Sequence, residues 1–212
     1  MMYGMPWPGD YLIAPDGRVW NKLFLSSYEH RPSASEVLVR NFGDDTGGSS
    51  VDIKTDVLDA TISLSTDRGF PGQEIAWSVR ICLKPGWHIY GKPLPQNYHA
   101  LDVTFDGQLV DQQSLQLPPP KQMPLRVLGE TLPVYTGEMR ATGVLGIKWS
   151  PPMPRKFLEA LGKRIEPGLY KIGGILRFQA CTDEVCEAPQ AITFELPFTV
   201  EAGIPPAPKR AT

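Results

Sequence analysis

The chain has 212 residues, 42% of them hydrophobic, and a formal net charge of −2. That length suits one ordinary domain with an appendage, or two small ones, and that composition can build a real core. It offers no basic patch for nucleic acid or an anionic membrane, and no stretch reaches the ~18–20 apolar residues of a membrane span. Glycine (20) and proline (22) are abundant, which suits a turn-rich β protein better than a helical bundle. The N-terminus, Met1-Met2-Tyr3-Gly4-Met5-Pro6-Trp7-Pro8, lacks the basic start and apolar run of a secretion signal. As written, the chain is expected to be cytoplasmic, or to be a fragment of something longer.

Residues 11–13 form a short apolar strand, Asp16-Gly17 is a hairpin turn signal, and residues 18–24 can return as the partner strand. Ser33-Ala34-Ser35-Glu36 reads as a capping box. It opens a short helix through Val37, Leu38 and Phe42, with Gly43 as its stop. The run Asp44-Asp45-Thr46-Gly47-Gly48-Ser49-Ser50 is polar and Gly/Ser-rich, so a linker is expected over residues 46–55. From residue 56 the pattern is mostly strands. Ala60, Ile62 and Leu64 alternate with Thr61, Ser63 and Ser65; Ile75, Trp77, Val79 and Ile81 alternate with Ala76, Ser78, Arg80 and Cys82. Leu101, Val103 and Phe105 precede the turn Asp106-Gly107, and residues 139–149, 170–178 and 191–200 complete the set. Alternation of this kind marks a sandwich with one buried and one wet face per sheet, spanning 56–202. Residues 154–163 permit a short helix, and the proline-rich tail 203–212 is expected to be disordered. There is no internal repeat, phosphate loop, double CxxC zinc pattern or nucleophile elbow.

Three cysteines are present. Two of them, Cys181 and Cys186, sit in Phe178-Gln179-Ala180-Cys181-Thr182-Asp183-Glu184-Val185-Cys186-Glu187-Ala188-Pro189, between two strand-like runs. That position places both at a hairpin turn, close enough for one disulfide. A bridge closing so short a loop contributes only about 2 kcal/mol of loop-closure stabilisation, a weak staple but a suitable bond to make and break. A static bridge, two reduced thiols or half of a metal site are the other readings, although no His or Cys completes a metal site nearby in sequence. Asp183, Glu184 and Glu187 flank the pair and disfavour a thiolate, so the pair is expected to be attacked as a disulfide by a partner's low-pKa thiolate. Cys82 alternates with Ser78 and Arg80 on one face and reads as a free thiol without function.

The motif from Phe178-Gln179-Ala180-Cys181 to Cys186 and Pro189 resembles the redox motif of the N-terminal periplasmic domain of DsbD-type thiol–disulfide reductases. Pro85-Gly86-Trp87-His88-Ile89-Tyr90-Gly91-Lys92 is similar to that family's second hallmark. The resemblance covers about residues 56–200. It implies an immunoglobulin-like β-sandwich, a Cys181–Cys186 redox pair, a thioredoxin-like or other thiol protein as partner, no cofactor, and a periplasmic setting. It also implies an apolar cap over the cysteines, matching Gly129-Glu130-Thr131-Leu132-Pro133-Val134-Tyr135. Leu132 stands nearest the cap's usual aromatic tip, and Glu187-Ala188-Pro189 departs from the usual double proline. By the family's pattern Cys186 joins the partner. Phe178, Gln179, His88, Tyr90, Glu130, Leu132 and Tyr135 are the implied site-lining residues. Residues 3–43, with Pro8 where a cis-proline would fall and Ala14 in place of a common aspartate, resemble the end of a peroxiredoxin-like, thioredoxin-fold domain. The expected architecture is therefore mainly β, with a small N-terminal α+β segment over 1–45. That segment has no cysteine and could support a homodimer through its apolar face.

The residues alone leave plainer readings open. His88 and Tyr90 share one face of a strand, opposite Trp87 and Ile89, and could be an ordinary polar face. Glu130 and Tyr135 could belong to a plain connection. The competing function is a non-catalytic β-sandwich that binds another protein, its cysteine pair structural or inert.

Overall fold

The computed structural model describes residues 9–24, 34–42, 47–95, 97–125, 129–148 and 165–202. The expected helix at 154–163 and the tail at 203–212 lie outside them. The chain divides into two units, residues 1–34 and 35–212.

In the first unit, β1 (Gly9–Ile13) pairs antiparallel with β2 (Val19–Phe24). The Asp-Gly turn forms as expected. Gly17 adopts φ +81°, its N–H donates to the Ala14 carbonyl at 2.9 Å, and Asp16 Oδ1 accepts from the Arg18 N–H at 3.0 Å. Tyr11, Ile13, Val19 and Trp20 of this hairpin are exposed.

Helix α1 (Ala34–Phe42) lies in the second unit from Ser35 onward; in it Val39 is buried while Leu38 and Phe42 are exposed. The unit division therefore groups the helix with the β domain and not with the hairpin, unlike the expected 1–45 segment.

The β domain is mainly strand. One sheet runs β3 (Ser50–Lys54), β4 (Leu58–Leu64), β6 (Glu74–Leu83), β12 (Glu138–Ile147) and β9 (Val110–Gln113). A second runs β5 (Arg68–Gly69), β15 (Gln190–Val200), β13 (Gly168–Phe178) and β8 (Asp102–Phe105). The inward residues of both sheets, among them Ile62, Trp77, Val79, Leu145, Leu176 and Leu196, join one buried cluster. This is the sandwich predicted from the alternation. Phe105 links its halves, edge-on to Trp77 at 4.9 Å and to Phe194 at 5.5 Å. Part of the expected linker is in fact strand: residues 50–54 form β3, paired in register from Ser50↔Ser63 to Lys54↔Asp59. Being an edge strand with only Ile53 buried, β3 carries little apolar signal.

A third, smaller sheet positions the cysteines. Its order is β10 (Lys121–Leu125), β11 (Glu130–Thr136), β7 (His88–Tyr90) and β14 (Ala180–Cys181). One face supplies Ile89, Tyr135 and Ala180 to the main core. The other gathers Tyr90, Leu125, Leu132, Val134 and Cys181 into a second buried cluster, with Leu94, Tyr98 and Met123 against it. Among the described residues no helix is long and apolar enough to cross a membrane.

Candidate functional site

The β13–β15 ladder closes at Phe178↔Gln190, and the eleven residues between them leave that sheet. Ala180 and Cys181 pair instead with Ile89 and His88 of β7. The chain then turns tightly through Thr182–Val185. The Thr182 N–H donates to the Val185 carbonyl at 2.7 Å, and Glu187 N–H returns to the Ala180 carbonyl at 2.9 Å. Thr182 Oγ1 accepts from the Glu184 and Val185 amides at 3.2 and 3.1 Å, the local turn bonding that Ser and Thr favour. Cys181 and Cys186 face each other across this turn, with Cα atoms 4.1 Å apart, and form a disulfide.

The two sulfurs have unlike surroundings. Cys181 is fully buried, whereas Cys186 is exposed and follows Val185, which is 56% exposed. The Tyr90 hydroxyl lies 3.0 Å from Cys181 Sγ and 3.5 Å from Cys186 Sγ. Tyr90 is itself buried, and its ring meets Tyr98 at 5.2 Å and His88 at 6.0 Å. Burial raises the Tyr90 phenol above its ordinary pKa, and Tyr98 and Glu130 add to the shift, so the hydroxyl keeps its proton at neutral pH. Burial lowers the His88 pKa, with the Asp183 charge opposing, so the imidazole is neutral.

Register explains the grouping. Cys181 opposes His88, Tyr90 opposes Val134, and Leu132 opposes Met123, so alternate residues of four strands share one face. The β10–β11 hairpin thus lays Met123, Leu125 and Leu132 beside the cysteine cluster. Gly91 lets this hairpin close on β7: its N–H donates to the Pro133 carbonyl at 2.8 Å, and a Cβ there would meet the Pro120 ring at 2.7 Å. Tyr98 OH donates to Glu130 Oε2 at 3.4 Å, joining the 91–101 connection to the start of β11. Glu130 also raises the Tyr98 phenol, after the larger effect of desolvation.

The structure therefore brings together Cys181, Cys186, His88, Tyr90 and Leu132, with Glu130 at the edge. Gln179 braces the surround: its side-chain carbonyl accepts from the His99 N–H at 3.2 Å, and its amide donates to the Glu187 carbonyl at 3.2 Å. Phe178 and Tyr135 are not in the cysteine cluster. Both project into the main core, and the Tyr135 hydroxyl donates to the Pro118 carbonyl at 2.8 Å. In β11 adjacent residues face opposite ways, so Val134 and not Tyr135 shares a face with Tyr90. The segment expected as a cap loop is largely paired strand. Met123, Leu125, Leu94 and Tyr98 were missed by sequence reading. Pro124 obscured β10, which tolerates proline because it is an edge strand. Cys82 is a free, half-buried thiol on β6. Among the described residues no three His, Cys, Asp or Glu side chains gather as metal ligands.

No protein-family model matches this chain, and no curated protein does. Among solved structures it is similar to the N-terminal periplasmic domain of ScsB from Proteus mirabilis, with 14% identity and a TM-score of 0.50 over 71% of this chain. The match covers 51% of that chain, so the present sequence spans about half its length. At this identity the likeness shows a shared fold.

Proposed function

We propose that the chain is a thiol–disulfide exchange module that relays electrons between thioredoxin-like proteins through Cys181 and Cys186. The observation that carries this reading is the asymmetry of the bond. One sulfur is exposed; the other is buried under an apolar cap, and a protonated tyrosine hydroxyl lies against both. In this reading a partner thiolate attacks Cys186 Sγ. The S–S bond breaks, a mixed disulfide forms on Cys186, and Cys181 leaves with the electron pair. Tyr90 O–H donates to that developing thiolate, and a solvent proton completes the thiol. A second partner thiol then attacks the partner's sulfur in the mixed disulfide, releasing Cys186. Two electrons and two protons have reached the pair, and the partner dithiol has become a disulfide.

An oxidising compartment suits a standing disulfide, and the domain similar in fold is described as periplasmic. The exposed Tyr11, Ile13, Val19 and Trp20 support self-association through the N-terminal hairpin, which light scattering would test. We retain the proposal that residues 3–43 are the end of a redoxin-like fold.

The test is the reduction potential of the pair, measured by equilibrating the protein in graded glutathione or dithiothreitol buffers and counting thiols. A reversible two-electron couple between roughly −180 and −270 mV fits an exchange protein. A bond that stays closed below about −300 mV is structural and would leave the protein-binding module as the better account.

A further inference from the structure

The exchange chemistry above does not use His88. The residue is 2% exposed, and among the described residues its Nε2 is buried without a hydrogen-bond partner. Leaving a buried polar atom unpaired is costly, and native proteins do it sparingly. Strand register brings a sulfur-bearing residue opposite this ring, however. His88 is the direct cross-strand neighbour of Cys181, which places their Cβ atoms about 4.5–5.5 Å apart on the same face. In the disulfide, Cys181 Sγ is bonded to Cys186 and has no hydrogen to donate.

From this geometry we infer that Nε2 of His88 is the acceptor reserved for the Cys181 thiol, and that its hydrogen bond forms only when the disulfide opens. The inference rests on the exchange reading and assigns His88 a positioning role within it. Reduction by a partner dithiol breaks the S–S bond, and Cys181 takes an electron pair and then a proton. The new S–H turns toward β7 and donates to Nε2. The orphaned nitrogen of the oxidised state is satisfied in the reduced one, so His88 favours the dithiol. Burial suits this role, because it holds the ring neutral and leaves a lone pair available. Tyr90 then serves the leaving thiolate during the reaction, and His88 holds the finished thiol.

Two measurements on the full chain test this. The first follows the His88 imidazole by 15N NMR in the oxidised and dithiothreitol-reduced protein, assigned by loss of the signal in H88Q. Nε2 is expected as an unprotonated nitrogen in the oxidised state, moving upfield on reduction as it accepts the S–H. An Nε2 signal that does not respond to reduction, or that carries a proton in both states, overturns the inference. The second compares reduction potentials. H88F should shift the equilibrium about tenfold toward the disulfide, or about 30 mV more negative for this two-electron couple. H88Q, whose amide oxygen can accept, should stay within threefold of the parent. An H88F couple equal to or easier to reduce than the parent refutes the idea. Should H88F fail to fold, the spectroscopic result decides alone. A reversible couple indifferent to His88 sinks only this inference, whereas a disulfide that no dithiol reduces sinks the exchange reading with it.

Discussion

Replacing Tyr90 by phenylalanine removes one oxygen and leaves the ring that packs on Tyr98 and His88. That oxygen lies 3.0 Å from the sulfur expected to leave and 3.5 Å from the one expected to be attacked. In the oxidised state the sulfurs are weak acceptors, so the fold should lose no more than about 1 kcal/mol. Once Cys181 carries negative charge, the same O–H donates to an ion. Such bonds are worth about 1.5–3 kcal/mol, and each 1.36 kcal/mol is tenfold in rate. The leaving sulfur bears only part of its charge in the transition state, so the lower end applies, and reduction should slow about tenfold. The assay is single-turnover reduction by excess dithiothreitol with acid quench, alkylation and mass counting, alongside far-UV circular dichroism to verify folding. The raised phenol pKa keeps the donor protonated, so the ratio of parent to variant rates should hold from about pH 7 to 9. A folded Y90F variant reduced within twofold of the parent rate would refute the donor role.

Leu132 is 4% exposed in the cysteine cluster, and L132A should cost about 2–5 kcal/mol as a buried leucine truncation. It should also uncover Cys181 Sγ as a second point of attack beside the exposed Cys186, speeding reduction by dithiothreitol several-fold; an unchanged rate in a measurably destabilised variant would mean that the cap does not shield Cys181. Gly143 opposes Trp77, and a Cβ there would run into the indole and the Ser114 carbonyl. G143A should therefore lower stability by about 1–3 kcal/mol in urea unfolding, and a neutral result would contradict that crowding. The lowered His88 pKa makes stability pH-dependent, because below about pH 6.5 the unfolded chain binds a proton that the folded one refuses. Stability should rise with pH between the depressed folded pKa and about 6.5, by at most about 1.4 kcal/mol per pH unit from this group, and H88Q should flatten that slope.

Strand identity was legible where one face is buried against the main core. Residues 75–82 and 191–200 alternate because adjacent side chains point to opposite faces, a property of the local backbone. The Asp16-Gly17 turn was legible for the same reason, since glycine supplies the positive φ on its own. The spacing of Cys181 and Cys186 limited them to a short turn and made their pairing readable. Edge strands were not legible. β3 buries only Ile53 and begins in a Gly/Ser run, and β10 contains Pro124, so neither shows the expected pattern.

The composition of the site depended on pairings distant in sequence. Alternation could say that His88 and Tyr90 share a face, but not that this face would meet Cys181. That required β14 to leave the β13–β15 ladder and pair with β7. It could not choose between Val134 and Tyr135 either. The register Val134↔Tyr90 made that choice and sent Tyr135 into the core, because a shift of one residue exchanges the two faces of a strand. The burial of Cys181 beside an exposed Cys186 has the same origin. Both sulfurs lie on one short turn, and only the third sheet, capped by a hairpin some fifty residues earlier, covers one and leaves the other open.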